Sequence, residues 1–221
     1  MSDFQIDWDR AGRTGVAEAV LCGHKSPALI AAILAEAAER QRRLLLTRLS
    51  REQLLGLGAG IVDRLDYDAL SATAVFGDPV PLRNSGIGIV AAGTSDLPVA
   101  REAARTLAFN GHSAPIIADV GVAGLWRLMN RLDDIRSFRI VIAVAGMEGA
   151  LFSVLAGLVA SPLIAVPTSV GYGVAAGGHV ALHAALASCS PGVTVVNIDN
   201  GFGAAAAAMK MLSLASSGPL R

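Results

Sequence analysis

From about Asn84 onward the chain alternates short, unbroken apolar runs with helical patterns, and this rhythm constrains the fold more than any other feature. The runs are IGIVAA (87 to 92), APIIAD (114 to 119), FRIVIAVA (138 to 145), PLIAVP (162 to 167) and VTVVNI (193 to 198). Between and after them lie DLPVAREAARTLAFN, VAGLWRLMNRL, EGALFSVLAGLV, VAAGGHVALHAALAS and AAAAAMKMLSLA. A strand with one wet face alternates apolar and polar residues, and these do not. Both faces must therefore be covered, as in a parallel sheet with helices on either side. The expectation is an α/β, doubly wound parallel sheet.

The earlier part carries its own signals. Ser26 followed by Pro27 reads as N-cap and first helical position for PALIAAILAEAAER, and Ser50 with Gln53 forms a capping box. EAVLC, LLLT and ATAVF read as strands. Pro79, Pro81 and Asn84 interrupt the periodicity, so a small N-terminal α/β lobe is expected over 1–80 and a second, larger α/β domain over 81–221.

Composition narrows the function. The formal net charge is zero and only 16% of residues are charged, against about 25% in ordinary soluble domains. Without a long basic stretch, no nucleic-acid partner is expected. A chain this poor in charge is expected to bury surface in a homo-oligomer. Residues 140 to 166 are apolar enough to imitate a membrane span, but Gly146, Glu148, Gly149, Gly157 and Pro162 punctuate them, so strand, helix, strand is the reading and no membrane partner is expected. Cys22 and Cys189 form no CxxC pair, and MSDFQIDWDR is too polar for a signal peptide. A cytoplasmic location is the expectation.

In open parallel sheets ligands bind beyond the carboxyl ends of the strands, where the strand order reverses. The segments following the strands are AAGTSD (91 to 96), DVGVAG (119 to 124), AGMEG (145 to 149), PTSVGYG (167 to 173) and NIDNGFG (197 to 203), all rich in glycine, small hydroxyls or carboxylates. Glycines admit close backbone approach and helix N-termini attract anions. GIGIVA precedes its strand and GYGVAA lacks an acidic residue about 20 positions on, which disfavours a dinucleotide-dependent dehydrogenase. His179 and His183 lie on one helix without the Glu of an HExxH motif, so no metal site is expected. Cys22 reads as a packed core thiol. Cys189, in SCSPG, follows a helix, whose C-terminal dipole by itself raises a thiol pKa.

AAGTSDLPVAREAA, DVGVAGLWRL, VAGMEGALFSVLAGL, PLIAVPTSVGYG and SCSPGVTVVNIDNGFGAAAAA closely resemble the LarB family, which makes the precursor of the nickel-pincer nucleotide of lactate racemase and is related to the PurE-type AIR carboxylases. The resemblance implies a flavodoxin-like three-layer core and, by analogy with PurE, an octamer. It implies carboxylation of the pyridinium ring of nicotinic acid adenine dinucleotide at C5 with cleavage of the diphosphate. CO2 or bicarbonate is then co-substrate; no cofactor is firmly implied, and a role for Mg2+ stays open. By the same resemblance Cys189 adds to C4 of the ring, and the ring's positive charge stabilises the thiolate. Glu148 is the candidate base for the C5 proton. Among apolar neighbours it is expected to be partly desolvated with a raised pKa, or else satisfied by N–H groups as a first-turn helix residue. Asp96 orients the substrate or shares the proton. The substrate-binding set is Gly93, Thr94, Ser95, Asp119, Gly146, Met147, Gly149, Thr168, Ser169, Gly171, Tyr172, Gly173, Asn200, Gly201 and Gly203. Trp126 and Phe152 depart from the family pattern, which has His and Pro there. The alternatives are a purine-pathway mutase, for which the basic loop after DVG is missing, and a non-catalytic nucleotide-binding module.

Overall fold

The computed structural model describes residues 4–216, so the first three residues of MSDFQIDWDR lie outside it. The chain divides into two compact units, Met1–Pro81 and Leu82–Arg221.

The first unit runs α1 (Arg10–Thr14), β1 (Ala19–Leu21), α2 (Pro27–Glu39), β2 (Leu44–Thr47), α3 (Arg51–Leu55), α4 (Ala59–Val62), β3 (Leu65–Asp68) and β4 (Thr73–Phe76). Its sheet has the order β1-β2-β4-β3. Only the β1–β2 pair is parallel. The Ser26 hydroxyl accepts from the Leu29 amide at 3.2 Å, with Pro27 opening α2. Ile30, Ile33, Leu34 and Ala37 form the helix's buried face, at the three- and four-residue spacing of an amphipathic helix. Ser50 and Gln53 complete their capping box, and the Gln53 amide also donates to the carbonyls of Cys22 and Lys25, tying α3 to the β1–α2 turn. Cys22 is wholly buried in this core, and burial pushes its thiol up to about 12. Strand β3, LDYD, is not evident in the sequence pattern; it is an edge strand alternating acidic with larger residues.

The second unit runs β5 (Arg83–Asn84), β6 (Ile87–Ala91), α5 (Leu97–Phe109), β7 (His112–Ser113), β8 (Ile116–Ile117), α6 (Leu125–Met129), α7 (Leu132–Arg136), β9 (Ile140–Ala145), α8 (Ala150–Ala156), β10 (Leu163–Pro167), α9 (His179–Leu186), β11 (Val193–Val195) and α10 (Gly201–Ser216). Five strands form one parallel sheet in the order β11-β10-β9-β6-β8. Counted along this unit's sheet, that is the flavodoxin-like order, whose switch point lies between β6 and β9. The two are in register from Ile87 opposite Ile140 to Ala91 opposite Val144. Every residue of β6, β9 and β10 is buried, as their unbroken apolar runs require. Val141, Ala143 and Ala145 pack in a core with Leu128, Ile135, Leu151, Phe152, Leu155 and Ala181 from α6 to α9. α5 and α10 pack together over β6, β9 and β10 as the opposite layer.

Residues 140 to 166 are therefore strand, helix and strand. No helix among the described residues is long and apolar enough to cross a membrane. VAAGGHVALHAALAS is α-helical only from His179; the 3-10 stretch Gly173–Gly178 before it is kinked, with Gly177 and Gly178 at positive φ values of 78° and 79°.

Candidate functional site

Asp96 closes the 3-10 turn Thr94–Asp96 just beyond β6 and leads into α5. Its side chain turns back into the protein, and the residue is only 4% exposed. One carboxylate oxygen accepts from the Gly93 amide at 2.9 Å, the other from the Thr168 hydroxyl at 2.6 Å. A third hydrogen bond comes from the Gly146 backbone. Gly93 follows β6, Gly146 follows β9 and Thr168 follows β10, so this carboxylate joins three strand ends at the switch point. Burial raises the Asp96 pKa above its ordinary value; the three hydrogen bonds oppose that rise, and the charge of Asp199 adds to it.

The packing here leaves no room at Gly146, where a Cβ would strike the Val170 carbonyl and the Thr168 hydroxyl. Thr168 itself is wholly buried. Two further clasps hold the neighbouring loops: the Met147 amide donates to the Val170 carbonyl at 2.8 Å, and the Ser169 amide donates to the Asp199 carboxylate at 2.8 Å. Asp119, Met147 and Asp199, in the loops after β8, β9 and β11, take left-handed φ values of 59°, 50° and 55°. Non-glycine residues held this way cost on the order of 1–3 kcal/mol each and cluster at functional sites.

Around this buried core, Thr94, Ser95, Ser169, Tyr172 and Gly173 are exposed, with Gly171 partly so. They offer hydroxyls and open backbone at the carboxyl ends of β6 and β10. Glu148 differs from its expected setting. Met147 and Glu148 form a turn ahead of α8, whose N-cap is Gly149 with φ 63°. Glu148 therefore precedes the helix and is exposed; the desolvated carboxylate of the site is Asp96.

Asn200, Gly201 and Gly203 stand at the start of α10. The Asn200 side chain accepts from the Gly203 amide at 2.8 Å and the Glu102 carboxylate accepts from the Phe202 amide at 3.3 Å, so two of the first amides of α10 already have partners. A Cβ on Gly201 would sit 2.5 Å from the Val99 carbonyl and 2.9 Å from Glu102. The glycine lets α10 lie close on α5, and the motif caps and packs this helix. Asp119 is exposed and pairs with Arg127 at 2.7 Å.

Cys189 is exposed and free. It lies in the loop between α9 and β11, outside the hydrogen-bonded cluster of Asp96, and that loop is fastened to Ser153 of α8. The His179 and His183 rings stand 6.5 Å apart, and no group of three or more metal-binding side chains occurs among the described residues. Phe152 is fully buried within α8, whereas Trp126 is 67% exposed on α6. Asp199, Val170 and Ser153 carry site contacts that sequence reading did not single out. Only Asp199 had a signal, as the carboxylate of NIDNGFG.

A parallel sheet of flavodoxin-like order, with the carboxylate of a GTSD loop buried at its switch point, defines an AIR-carboxylase-type domain, and residues 86–218 match the family described as AIR carboxylase. Residues 1–78 match the LarB/PurE-like N-terminal domain. The chain belongs to the LarB family, relatives of PurE. It is 52% identical over 120 residues to a protein of Methanocaldococcus jannaschii that bears the name "Uncharacterized protein MJ0165". That match covers 53% of this chain and 46% of the relative, so the chain spans about half the length of the curated relative.

Proposed function

We propose that this protein carboxylates the pyridinium ring of nicotinic acid adenine dinucleotide at C5 and hydrolyses its diphosphate, giving pyridinium-3,5-biscarboxylic acid mononucleotide and AMP. The observation that carries the reading is a free, exposed thiol, Cys189, in a chain that joins a LarB-type N-terminal domain to an AIR-carboxylase domain. A purine-type mutase has no use for that thiol.

A pyridinium ring is electron-poor and does not attack CO2. The Cys189 thiolate adds to C4, forming a C–S bond and moving an electron pair onto the ring nitrogen. The resulting dihydropyridine is nucleophilic at C5, like an enamine. C5 then attacks CO2, forming the new C–C bond and leaving an iminium ring. Glu148, open at the tip of its turn, takes the C5 proton. The ring rearomatises as the C4–S bond breaks and the thiolate departs, so one proton is released for each CO2 fixed. Separately, one water cleaves the diphosphate into the two monophosphates.

Asp96 is a strut in this scheme: its hydrogen bonds hold the loops after β6, β9 and β10 in mutual register. Exposed Thr94, Ser95, Ser169 and Tyr172 are the groups that receive the dinucleotide. Val174 at 95% and Trp126 at 67% exposure are large apolar surfaces for one chain, which supports a homo-oligomer in which other copies cover them. Replacing Cys189 by Ser is the test: turnover disappears while the dinucleotide still binds. Unchanged turnover in C189S would eliminate the covalent route.

A further inference from the structure

We propose that Ser153, in the middle of α8, is a positioning residue that locks the Cys189 loop onto the helix following Glu148. The catalytic consequence of this lock rests on the carboxylase reading; the lock itself does not. Cys189 lies just past the end of α9, in an exposed connection before β11. Such a connection wanders unless it is tied down. Both neighbours of the cysteine are tied, and to the same residue. The Ser188 and Ser153 hydroxyls are 2.8 Å apart, and the Ser190 hydroxyl donates to the Ser153 carbonyl at 2.9 Å. The Ser190 amide donates to the Ser188 hydroxyl at 3.2 Å, closing the loop on itself.

The pattern alternates. Ser188 and Ser190 reach α8 and are partly buried, whereas Cys189 between them is exposed. Ser153 stands four residues after Gly149, about 6 Å along the helix axis. One short helix therefore indexes both the Glu148 turn at its start and the thiol loop at its middle. What these links supply to Cys189 is placement. The Ser153 carbonyl also accepts the helix bond from Gly157 at 3.2 Å, so removing its hydroxyl leaves the helix backbone intact.

The test uses Ser153→Ala, Ser153→Thr, Ser188→Ala and the Ser153→Ala/Ser188→Ala double variant of the full chain. Amide hydrogen exchange in the peptide spanning 187 to 192 is expected to rise several-fold in S153A, with unchanged exchange in the sheet. The value of kcat for carboxylation falls about three- to tenfold in S153A with KM for the dinucleotide unchanged, Thr restores most of it, and the double variant loses no more than Ser188→Ala alone. Wild-type exchange in a Ser153→Ala/Ser190→Ala variant, which lacks both links, would overturn the lock. A fall in kcat, KM and thermal stability together, with no rescue by Thr, would overturn the positioning role. Should the wild-type protein fail to carboxylate the dinucleotide, the functional reading falls alone, and the exchange comparison still decides the lock.

Discussion

Replacing Thr168 by Val removes one hydroxyl from the centre of the site while keeping its shape. The Thr168 hydroxyl donates to the Asp96 carboxylate at 2.6 Å, and neither residue is more than 4% exposed. A hydrogen bond to a buried charge contributes about 1.5–3 kcal/mol, so T168V should lower the melting temperature of this domain by roughly 4–8 °C at neutral pH. The loss should also depend on pH. The folded-state pKa of Asp96 lies above its ordinary value, chiefly through burial. Ionisation of this group therefore opposes folding: its contribution is most favourable below the unfolded pKa and is lost as pH rises through the folded one. The Thr168 bond offsets part of that loss, and its removal lifts the folded pKa further. The T168V penalty is thus full above the folded pKa and shrinks as pH falls below it, where Asp96 is protonated in the folded state of both proteins. Thermal melts of both proteins between about pH 8 and about pH 4.5 test this window. Equal melting temperatures across the range would refute the charged hydrogen bond.

Three further outcomes follow from the same geometry. Iodoacetamide applied to the native protein should alkylate Cys189 and spare Cys22, which is wholly buried with its thiol held near 12; equal labelling of both in peptide mass spectra would contradict the assignment of reactive and structural thiols. Gly201→Ala pushes a Cβ against the Val99 carbonyl and Glu102, and should cost about 1–3 kcal/mol in urea unfolding without any ligand present; full stability would refute the close contact of α10 with α5. Glu148→Gln should reduce carboxylation about a hundredfold or more while leaving dinucleotide binding intact, and a variant as fast as wild type would remove Glu148 from proton transfer.

Much of the fold was legible because burial on both faces writes itself as unbroken apolar runs: β6, β9 and β10 lie within the predicted strands. Strand β3 escaped because an edge strand with Asp66 and Asp68 needs no apolar run. The strand-end loops were legible as a class through the switch-point rule, but the roles inside them were not. Asp96 in GTSD looks like a helix cap; its burial follows from β10 lying beside β9 with Pro167 opposite Ala145, which brings Thr168 and Gly146 to it. Glu148 looked desolvated because its sequence neighbours are small and apolar, yet left-handed Met147 and Gly149 set it at the tip of a turn. In NIDNGFG no local pattern announces the packing use of Gly201, which comes from the tertiary approach of α10 to α5. The Ser153 link joins residues 35 and 37 positions apart, a distance at which no local pattern speaks.

The most direct test of the proposed reaction is small-molecule mass spectrometry after incubating the purified protein with nicotinic acid adenine dinucleotide and isotopically labelled bicarbonate. The account predicts AMP together with a dicarboxylated pyridinium mononucleotide carrying the label. Recovery of the dinucleotide intact and unlabelled would contradict it.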